Sequence, residues 1–335
     1  MRPRRFLPLT LLALLCLNGC GSGATDEFTE VNSVSFSPDS TRVAAGITTT
    51  KFEDSTNADG SGDQTETHDG SMIVFSSNKT ELGRTQTGDG AWKVAYSADG
   101  SFVASADDDR KIRMYDGHTA EFIRIFVDGK EGFLSTAISP DGNIIAGGGR
   151  DWVIRLWNRQ TGALIKTLTG HREAIRSVAF SPNGKSLAST GWHDGTVRIW
   201  NVETGTLIRE ISAQVGDTYD AQWSPDGTRL AVAGSEAVVL MDSISGTTRT
   251  YLEGQAFVIY GVAWSPDGTK VATGAGDATA IIWNATSGDQ VRIINHPDSV
   301  FGIAWSPDGN KLATGSRDGH VRLWDPNTGS LLWRQ

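Results

Sequence analysis

The chain contains one pair of residues whose types could do acid–base chemistry. His171 and Asp194 have the residue types of a catalytic dyad, in which a carboxylate orients an imidazole that moves a proton. The same pair suits a structural role, because a buried imidazole needs a partner for each ring nitrogen and an aspartate supplies one. The sequence has no phosphate-binding glycine loop, zinc-ligand spacing or nucleophile elbow. We therefore favour the structural interpretation and predict that the protein is not an enzyme.

An acidic segment, residues 48–70, contains oxygen-bearing side chains at the spacing of calcium ligands. The donors at positions 1, 3, 5, 7, 9 and 12 of the spacing are Ser55, Asn57, Asp59, Ser61, Asp63 and Glu66, with Gly60 at position 6. This spacing resembles that of an EF-hand loop, although Ser55 replaces the usual first aspartate and no helical pattern flanks the segment. A solvated acidic loop explains the same composition and is the favoured interpretation. Calcium at Asn57, Asp59, Asp63 and Glu66 is the only cofactor that the sequence indicates.

The sequence repeats itself seven times. A four-residue core recurs as "SPDS" at Ser37, "SADG" at Ser97, "SPNG" at Ser181, and "SPDG" at Ser139, Ser224, Ser265 and Ser306. The spacings between these serines are 60, 42, 42, 43, 41 and 41 residues. A period near 40 is typical of repeat proteins in which each unit buries its apolar face on its neighbours.

Each repeat predicts four short β-strands separated by turns. In the last repeat "GIAW" is an apolar strand, and "SPDG" has the residues of a type I turn. "KLATGS", "VRLWD" and "LLWR" follow as further strands, with Asp-Gly and Asn-Thr-Gly turns between them. Because helical periodicity is absent throughout, the sequence predicts an all-β fold over residues 31–335, a seven-bladed β-propeller with four antiparallel strands per blade. The first blade carries the insertion 48–70 between its second and third strands.

The two ends of this region predict how the ring closes. "VNSVSFS", from Val31, already has the pattern of the innermost strand of blade one. "SLLWRQ", from Ser330, matches the outer strands of other blades, such as "LIKTL". We therefore expect no strand exchange between the termini, and a ring held by burial between blades alone.

The repeats resemble those of the WD-repeat (WD40) family. The third strands end in "VFS", "MYD", "LWN", "IWN", "LMD", "IWN" and "LWD", and "GH" stands before the fourth repeat. The resemblance implies a buried hydrogen-bonded set of His, Ser or Thr, Asp and Trp in a blade. Blade four offers His171, Ser189 or Thr190, Asp194 and Trp200, and blade seven offers His296, Thr314 or Ser316, Asp318 and Trp324. The other five blades lack the histidine, so losing Asp194 or Asp318 is expected to cost more stability than losing Asp109.

The resemblance also implies a partner-binding surface. In WD-repeat propellers the residue five places before the serine of the first turn emerges at the top face, beside the central channel. Here these residues are Asn32, Trp92, Leu134, Arg176, Tyr219, Tyr260 and Phe301. Aromatic and arginine side chains are the types that dominate binding hot spots. Arg150, His193 and Arg317 are expected to face the same way, whereas the alternative is that the aromatic rings only fill the mouth of the channel.

The first 30 residues have the pattern of an exported lipoprotein. A basic start and an apolar stretch from Phe6 to Leu17 predict a signal peptide over residues 1–19, too short to span a membrane. "LNGC" resembles the bacterial lipobox, which implies cleavage before Cys20 and acylation of its thiol. Residues 20–30 would then be a flexible tether. The alternative is an ordinary secretory signal that contains a cysteine.

Charge and cysteine content restrict the environment and the partners. The chain has a net charge of −9, and without the three arginines of the signal it has 27 basic against 39 acidic residues. A nucleic-acid partner is therefore not expected, because such proteins carry a basic surface. Both cysteines, Cys16 and Cys20, lie in the first 20 residues, so the exported propeller would have no disulfide.

The function that these features favour is a non-catalytic interaction scaffold of the bacterial cell envelope. A lipid-anchored, monomeric propeller, periplasmic or on the cell surface, would bind a protein or peptide through its top face. Two alternatives remain open at this point. One is a propeller-based hydrolase, and the other is an envelope-assembly factor of the Tol or outer-membrane type, which shares the "SPDG" turn.

Overall fold

The fold consists of β-strands arranged in seven sheets. The computed structural model describes residues 26–56, 62–127 and 129–335, which form 28 strands and no helix. Each sheet contains four strands that are consecutive in the chain. The predicted all-β fold, a seven-bladed β-propeller with four antiparallel strands per blade, is confirmed. None of the described residues belongs to a helix with the length and apolar character of a membrane span.

The strands of each blade follow one another from the innermost to the outermost position. The first strands are β1 (Asp26–Phe36), β5 (Ala91–Tyr96), β9 (Phe133–Ile138), β13 (Ile175–Phe180), β17 (Thr218–Trp223), β21 (Ile259–Trp264) and β25 (Val300–Trp305). The second strands are β2 (Arg42–Thr56), β6 (Phe102–Asp107), β10 (Ile144–Gly149), β14 (Ser186–Gly191), β18 (Arg229–Gly234), β22 (Lys270–Ala275) and β26 (Leu312–Ser316).

The third and fourth strands complete each sheet. The third strands are β3 (Gly62–Ser76), β7 (Lys111–Asp116), β11 (Ile154–Asn158), β15 (Thr196–Asn201), β19 (Val238–Asp242), β23 (Thr279–Asn284) and β27 (Val321–Trp324). The fourth strands are β4 (Glu81–Gly88), β8 (Phe122–Val127), β12 (Leu164–Leu168), β16 (Leu207–Ser212), β20 (Thr248–Leu252), β24 (Gln290–Asn295) and β28 (Leu331–Arg334). Because the strands alternate in direction, the inner strands begin at the end where the second-to-third-strand turns lie. We call this end the top face and the opposite end the bottom face.

The chain divides into two compact units. The larger unit comprises Phe28–Thr49 and His68–Gln335 and contains the ring of blades. The smaller unit comprises the residues up to Glu27 together with Thr50–Thr67. Its described residues lie in the later part of β2, the earlier part of β3 and the start of β1. The predicted insertion, residues 48–70, is therefore largely strand, since β2 continues to Thr56 and β3 begins at Gly62.

The repeated Ser-Pro-Asp-Gly turns lock the first two strands of each blade together. In blade six the Gly268 N–H donates to the Ser265 carbonyl over 2.9 Å, and Gly268 adopts a φ of +68°. Asp267 accepts hydrogen bonds from the Ser265 hydroxyl at 2.6 Å and from the Thr269 N–H at 3.0 Å. The hydrogen bond from Ser265 holds the pKa of Asp267 below its usual range. The predicted turn at this position is confirmed, and it fixes the register of the strands that it joins.

Neighbouring blades share one apolar core between their facing sheets. Between blades two and three, Trp157 packs on Phe126 and Phe133, with ring centroids 6.0 and 5.7 Å apart. Phe102 and Ile112 of blade two and Ile145 of blade three belong to the same buried cluster. Because each sheet is buried on both faces in this way, every blade holds its neighbour at a fixed angle.

Among residues 26–56, 62–127 and 129–335 the ring closes without strand exchange, in agreement with the sequence prediction. Within this described part, blade seven consists of β25 to β28, and β1 belongs to blade one. The expectation that burial alone closes the ring was wrong, because polar contacts join the two blades as well. Arg317 Nε donates to Glu30 Oε1 at 3.1 Å, and Trp333 Nε1 donates to the Ser77 carbonyl at 2.9 Å. β1 also starts at Asp26, five residues before the predicted Val31, so Glu30 lies in a strand and can reach Arg317.

We expect Trp333→Ala to destabilise the protein by about 3–5 kcal/mol, because the indole is 4 % exposed and packs on Phe75 at 6.1 Å across the closure. Leu332→Ala on the same strand is the matched control. Leu332 is 45 % exposed, so its loss should change the free energy of unfolding by less than about 0.5 kcal/mol. Urea unfolding of the two variants checks this, and equal losses of stability would contradict the closure described here.

Candidate functional site: the top face

In blades two to seven a β-bulge places one side chain of the inner strand at the top face. The second residue of the inner strand has no partner in the second strand, because the register shifts around it in blades two to seven. In blade six, for example, Ile259 pairs with Ala275 and Gly261 pairs with Gly274, which leaves Tyr260 unpaired. A bulge bends the strand and re-aims the extra side chain. The bulged residues are Trp92, Leu134, Arg176, Tyr219, Tyr260 and Phe301, the residues that the sequence predicts for the ring.

Five of these six side chains join in one continuous surface, together with Trp192. The Phe301 ring packs on Tyr260 at 4.9 Å, and Tyr260 packs on Tyr219 at 5.6 Å. The Arg176 guanidinium lies over the rings of Tyr219, Trp192 and Trp92 at 5.4, 5.2 and 5.9 Å. We call these residues the top-face arc: Trp92, Arg176, Trp192, Tyr219, Tyr260 and Phe301. The arc runs from blade two through blades four, five and six to blade seven.

Asn32 and Leu134 lie outside the arc, whereas Tyr219, although only 8 % exposed, belongs to it through its ring contacts. Leu134 is 4 % exposed, since an aliphatic side chain without a polar tip is most stable when it is buried. The expectation that Leu134 contacts partners is therefore wrong. Asn32, in blade one, donates hydrogen bonds to Thr48 Oγ1 at 2.7 Å and to the Ala91 carbonyl at 3.1 Å, so it connects blade one to blade two.

Arg150, His193 and Arg317, which the sequence places on the same face, each join two neighbouring blades. Arg150 donates to both carboxylate oxygens of Asp108, at 3.0 and 3.2 Å. His193 Nδ1 lies 2.9 Å from Asp217 Oδ2, and Arg317 binds Glu30 at the ring closure. Their first role is therefore to brace the ring, although Arg150 also lies 5.8 Å from the Trp92 ring and His193 stacks on Trp192 at 4.4 Å.

An ion pair bridges the channel below the arc. Lys93 Nζ of blade two lies 3.3 Å from Asp220 Oδ2 of blade five. Asp220 also accepts from the Ser177 hydroxyl at 2.7 Å and from the Val262 N–H at 3.3 Å. Since blades two and five are not neighbours, this pair must span the channel, and it leaves Asp220 with its hydrogen-bonding capacity used.

Sequence reasoning missed three aromatic residues at the top face. The turn that carries Trp192 is one residue longer than the matching turn of blade six, because Trp200 follows Ser189 by eleven positions and Trp283 follows Thr273 by ten. Sequence reasoning did not use this difference and therefore missed Trp192. Trp152 and Phe257 lie in loops at the same end, are 47 % and 74 % exposed, and adopt φ values of +66° and +62°. Left-handed backbone is uncommon for bulky residues, and no composition signal marks it in advance.

The bottom face also carries aromatic residues, among them two tryptophans that make structural hydrogen bonds. Trp223 Nε1 donates to the Ala179 carbonyl at 3.0 Å, and Trp264 Nε1 donates to the Gln222 carbonyl at 3.1 Å. Arg229 covers the Trp264 ring at 4.5 Å and donates to the Ala285 carbonyl at 2.8 Å. Trp92 and Trp192 in the arc have no acceptor for their indole N–H among the described residues, and the same is true of Trp305 at the bottom face. The top face is the better candidate for ligand binding because its aromatic rings form one continuous arc with Arg176.

The histidine of blade four belongs to a complete buried hydrogen-bonded set. Trp200 Nε1 donates to Ser189 Oγ at 2.8 Å, and that hydroxyl lies 2.7 Å from His171 Nε2. His171 Nδ1 lies 3.1 Å from Asp194 Oδ2, which fits the tautomer with the proton on Nδ1. Burial alone would raise the pKa of Asp194, but the hydrogen bonds from His171 and Thr196 hold it well below its usual range. The geometry matches the predicted structural role of this pair, with Ser189 as the hydroxyl residue.

Blade seven forms only part of the predicted set. His296 Nε2 and Trp324 Nε1 both lie 2.9 Å from Thr314 Oγ1, but His296 Nδ1 faces the Ile294 carbonyl at 3.3 Å. Burial lowers the pKa of His296 to about 4, so the ring is neutral. Asp318 binds Arg322 and the Ser316 hydroxyl instead of the histidine. The predicted contact between His296 and Asp318 was wrong, because Arg322 on the third strand offers a charged partner.

Blades two and six show two further variants of the set. In blade six Gln255 replaces histidine, since its Oε1 accepts from the Thr273 hydroxyl at 2.6 Å, and Trp283 Nε1 donates to Thr273 Oγ1 at 2.8 Å. In blade two Arg113 binds both Asp109 and the buried Asp107, at 2.9 and 2.6 Å. Burial raises the pKa of Asp107 to about 7, against the lowering effect of Arg113. A polar core of this kind was expected only where the sequence has histidine.

The predicted calcium and lipid sites fall largely outside the described residues. Cys20 precedes Asp26, and Asn57 and Asp59 lie in the undescribed segment 57–61. Asp63 and Glu66 are on β3, where Glu66 is exposed. In the described part of the chain no group of three or more His, Cys, Asp or Glu residues could hold a metal ion.

Comparison with known families agrees with this architecture. Residues 56–323 match the family model of the first WD40 domain of WDHD1. The chain belongs to the WD40 family. A search of curated proteins found no match. WD40 propellers typically bind proteins or peptides, which makes the top face of this WD40 chain the surface to examine for a partner.

We expect Asp194→Ala to cost about 1–3 kcal/mol, because it leaves the buried His171 without its partner. Asp318→Ala should cost at least as much, since Arg322 is 3 % exposed and would remain as a buried charge. Asp109→Ala should cost less, because Asp107 still holds Arg113.

Double-mutant cycles in urea unfolding check the new partner assignment. The coupling free energy between Asp318 and Arg322 should exceed about 1 kcal/mol, and that between Asp318 and His296 should be near zero. A larger coupling with His296 would contradict the contacts described for blade seven.

Proposed function

We propose that this WD40 propeller is a non-catalytic interaction module that binds a protein or peptide on its top face. The observation that carries the proposal is the continuity of the top-face arc. Phe301, Tyr260 and Tyr219 pack edge to face, and Arg176 extends the surface to Trp192 and Trp92. Large, rigid aromatic side chains and arginine bury much area at a low entropic cost, which is why they dominate binding hot spots.

The chemistry of the top face supports a binding role over a catalytic one. The arc offers aromatic rings and a guanidinium. His193 at its edge is held by Asp217 and by stacking on Trp192. Asp220, below the arc, is held by Lys93, Ser177 and Val262. A hydrolase would need an imidazole or carboxylate that is available to the substrate. We therefore propose no catalytic step.

Selection of peptides from a random display library against the purified protein tests the proposed surface. Tyr260→Ala, alone and with Trp92→Ala, should weaken the selected peptides by at least about tenfold, as expected for hot-spot residues. Ile244→Ala is the matched control, because Ile244 is 81 % exposed but lies in a turn at the bottom face. Its affinity should stay within about twofold of the wild type.

The outcome that would overturn this proposal is the reverse pattern. Peptides that lose affinity through Ile244→Ala, and not through Tyr260→Ala, would place the binding surface elsewhere. The melting temperature of each variant serves as the control for correct folding.

We also propose that the mature protein is a lipoprotein of a bacterial cell envelope, attached to the membrane through Cys20. The support comes from the apolar run that ends in "LNGC" and from the absence of other cysteines after Cys20. Several acyl chains on one residue give stable membrane attachment, whereas a single chain would be marginal. Whether the module then serves envelope assembly depends on its partner.

Cys20→Ser should move the protein from the membrane fraction to the soluble fraction after expression in a bacterium. Cys16→Ser should leave it in the membrane fraction. Fractionation with mass spectrometry of the N-terminal peptide measures both. A wild-type protein that is exported, soluble and unacylated would show that this proposal is wrong.

A further inference from the structure

The Arg176 guanidinium lies at the mouth of the channel and has no hydrogen-bond acceptor among the residues that the structure describes. It is partly exposed, and its contacts in the described part of the chain are the faces of Trp92, Trp192 and Tyr219, at 5.9, 5.2 and 5.4 Å. Aromatic faces attract a cation but accept none of its five N–H groups in the way that an oxygen does. Burial lowers the pKa of Arg176, which reflects the loss of water around the charge.

Three other basic side chains at this end of the ring are paired with carboxylates. Arg150 binds Asp108, Arg317 binds Glu30, and Lys93 binds Asp220 across the channel. His193 lies against Asp217. Asp220, the carboxylate below the arc, already accepts from Lys93, Ser177 and Val262. Arg176 differs from Arg150, Arg317 and Lys93 because none of the described carboxylates pairs with it.

The site has more donors than acceptors. The indole N–H groups of Trp92 and Trp192, the two tryptophans that flank Arg176, also have no acceptor among the described residues. Unsatisfied buried donors are costly, and native proteins rarely keep them without a use. A ligand that supplies oxygen acceptors and one negative charge would balance both the charge and the hydrogen bonds.

We propose that Arg176 binds a carboxylate of the ligand at the channel mouth, with the rest of the ligand lying along Tyr219, Tyr260 and Phe301. The inference rests on the proposed function and names the ligand chemistry of that site. A planar carboxylate matches the guanidinium in a bidentate pair. A single charge is favoured over a phosphate dianion, because Asp108, Asp220 and Glu30 already offset Arg150, Lys93 and Arg317, which leaves the one charge of Arg176 to be balanced.

The geometry of the arc also limits the ligand. Tyr219 and Phe301 are separated by two ring contacts of 5.6 and 4.9 Å, which corresponds to about three residues of extended chain. The ligand is therefore a peptide that carries a carboxylate within about three residues of an aromatic or large apolar side chain. The carboxylate could be the C-terminus of the peptide or an acidic side chain.

Four short peptides distinguish the sources of the anion. Ac-Ala-Phe-Ala with a free C-terminus, the same peptide as its amide, Ac-Ala-Phe-Glu amide and Ac-Ala-Phe-phosphoserine amide are titrated into the full protein and followed by calorimetry or NMR. Binding of the free acid or of the Glu peptide, at least about tenfold tighter than that of the simple amide, is expected. Which of the two binds better identifies the source of the carboxylate.

Variants of Arg176 provide a second test of the proposed carboxylate site. Arg176→Gln should reduce the affinity of the carboxylate peptide at least about tenfold without changing that of the amide, and Arg176→Lys should recover part of the loss. Arg172→Gln is the matched control, because it removes the same charge from an exposed residue in the loop before β13. Arg172→Gln should lower the affinity of the carboxylate peptide no more than a small rise in ionic strength would, because solvent screens an exposed charge.

Several results would overturn the inference. The first is equal affinity of the free-acid and amide peptides, and the second is a carboxylate peptide whose affinity does not change with Arg176→Gln. The third is tightest binding of the phosphopeptide, and the fourth is that no carboxylate peptide binds saturably. If Tyr260→Ala still abolishes binding of library-selected peptides in these cases, the top-face function stands and only the carboxylate assignment is wrong. If selected peptides are also indifferent to Tyr260→Ala, both are wrong.

Discussion

The top face depends on one backbone irregularity that six blades share. In a regular antiparallel pair the second residue of the inner strand would pair with the second strand, and its side chain would point into one of the blade interfaces. The bulge leaves this residue unpaired, as at Tyr260 between Ile259 and Gly261, and turns its side chain to the channel mouth. Since a bulge is fixed by the pairs on both sides of it, the shared cores of the blades determine where the arc residues lie.

The polar contacts of the top face serve two separate purposes. Most of them hold blades together, as Arg150 does with Asp108 and Arg317 does with Glu30. The inner strands are also linked directly, because the Ser33 hydroxyl accepts from the Val94 N–H at 3.2 Å and the Ser135 hydroxyl accepts from the Val178 N–H at 3.1 Å. These contacts satisfy the inner edge of the strands, which would otherwise be an open sheet edge facing the channel. Arg176 does not take part in this bracing, which separates a ligand-binding role from a structural one.

The fold could be predicted from the sequence because its signals are local and repeated. The Ser-Pro-Asp-Gly turns set the period, and the hydrophobic pattern of each repeat sets the strands. The ring positions followed from the resemblance to WD-repeat propellers, and six of them occupy the bulge that the structure shows. The hydrogen-bonded set around His171 could be predicted for the same reason, since all its members stand at fixed offsets within one repeat.

The contacts that the sequence could not predict are those for which a side chain has more than one possible partner. Asp318 could bind His296 or Arg322, and the charged partner two residues from Trp324 is the one it contacts. Gln255 takes the place of histidine because its amide oxygen can accept the Thr273 hydroxyl, a substitution that no histidine-based pattern detects. Glu30 was assigned to a tether, because its partner Arg317 is almost the whole chain away in sequence. Such contacts become visible only when the blades are assembled.

The central claim is that the bulged residues of the inner strands form the binding surface. The most direct measurement is the ¹H–¹⁵N spectrum of the tryptophan indoles during titration with a library-selected peptide. The indole signals of Trp92 and Trp192, at the top face, should shift in proportion to the bound fraction. Those of Trp223 and Trp264, which donate to the Ala179 and Gln222 carbonyls at the bottom face, should not move. Shifts confined to Trp223 and Trp264 would contradict this account.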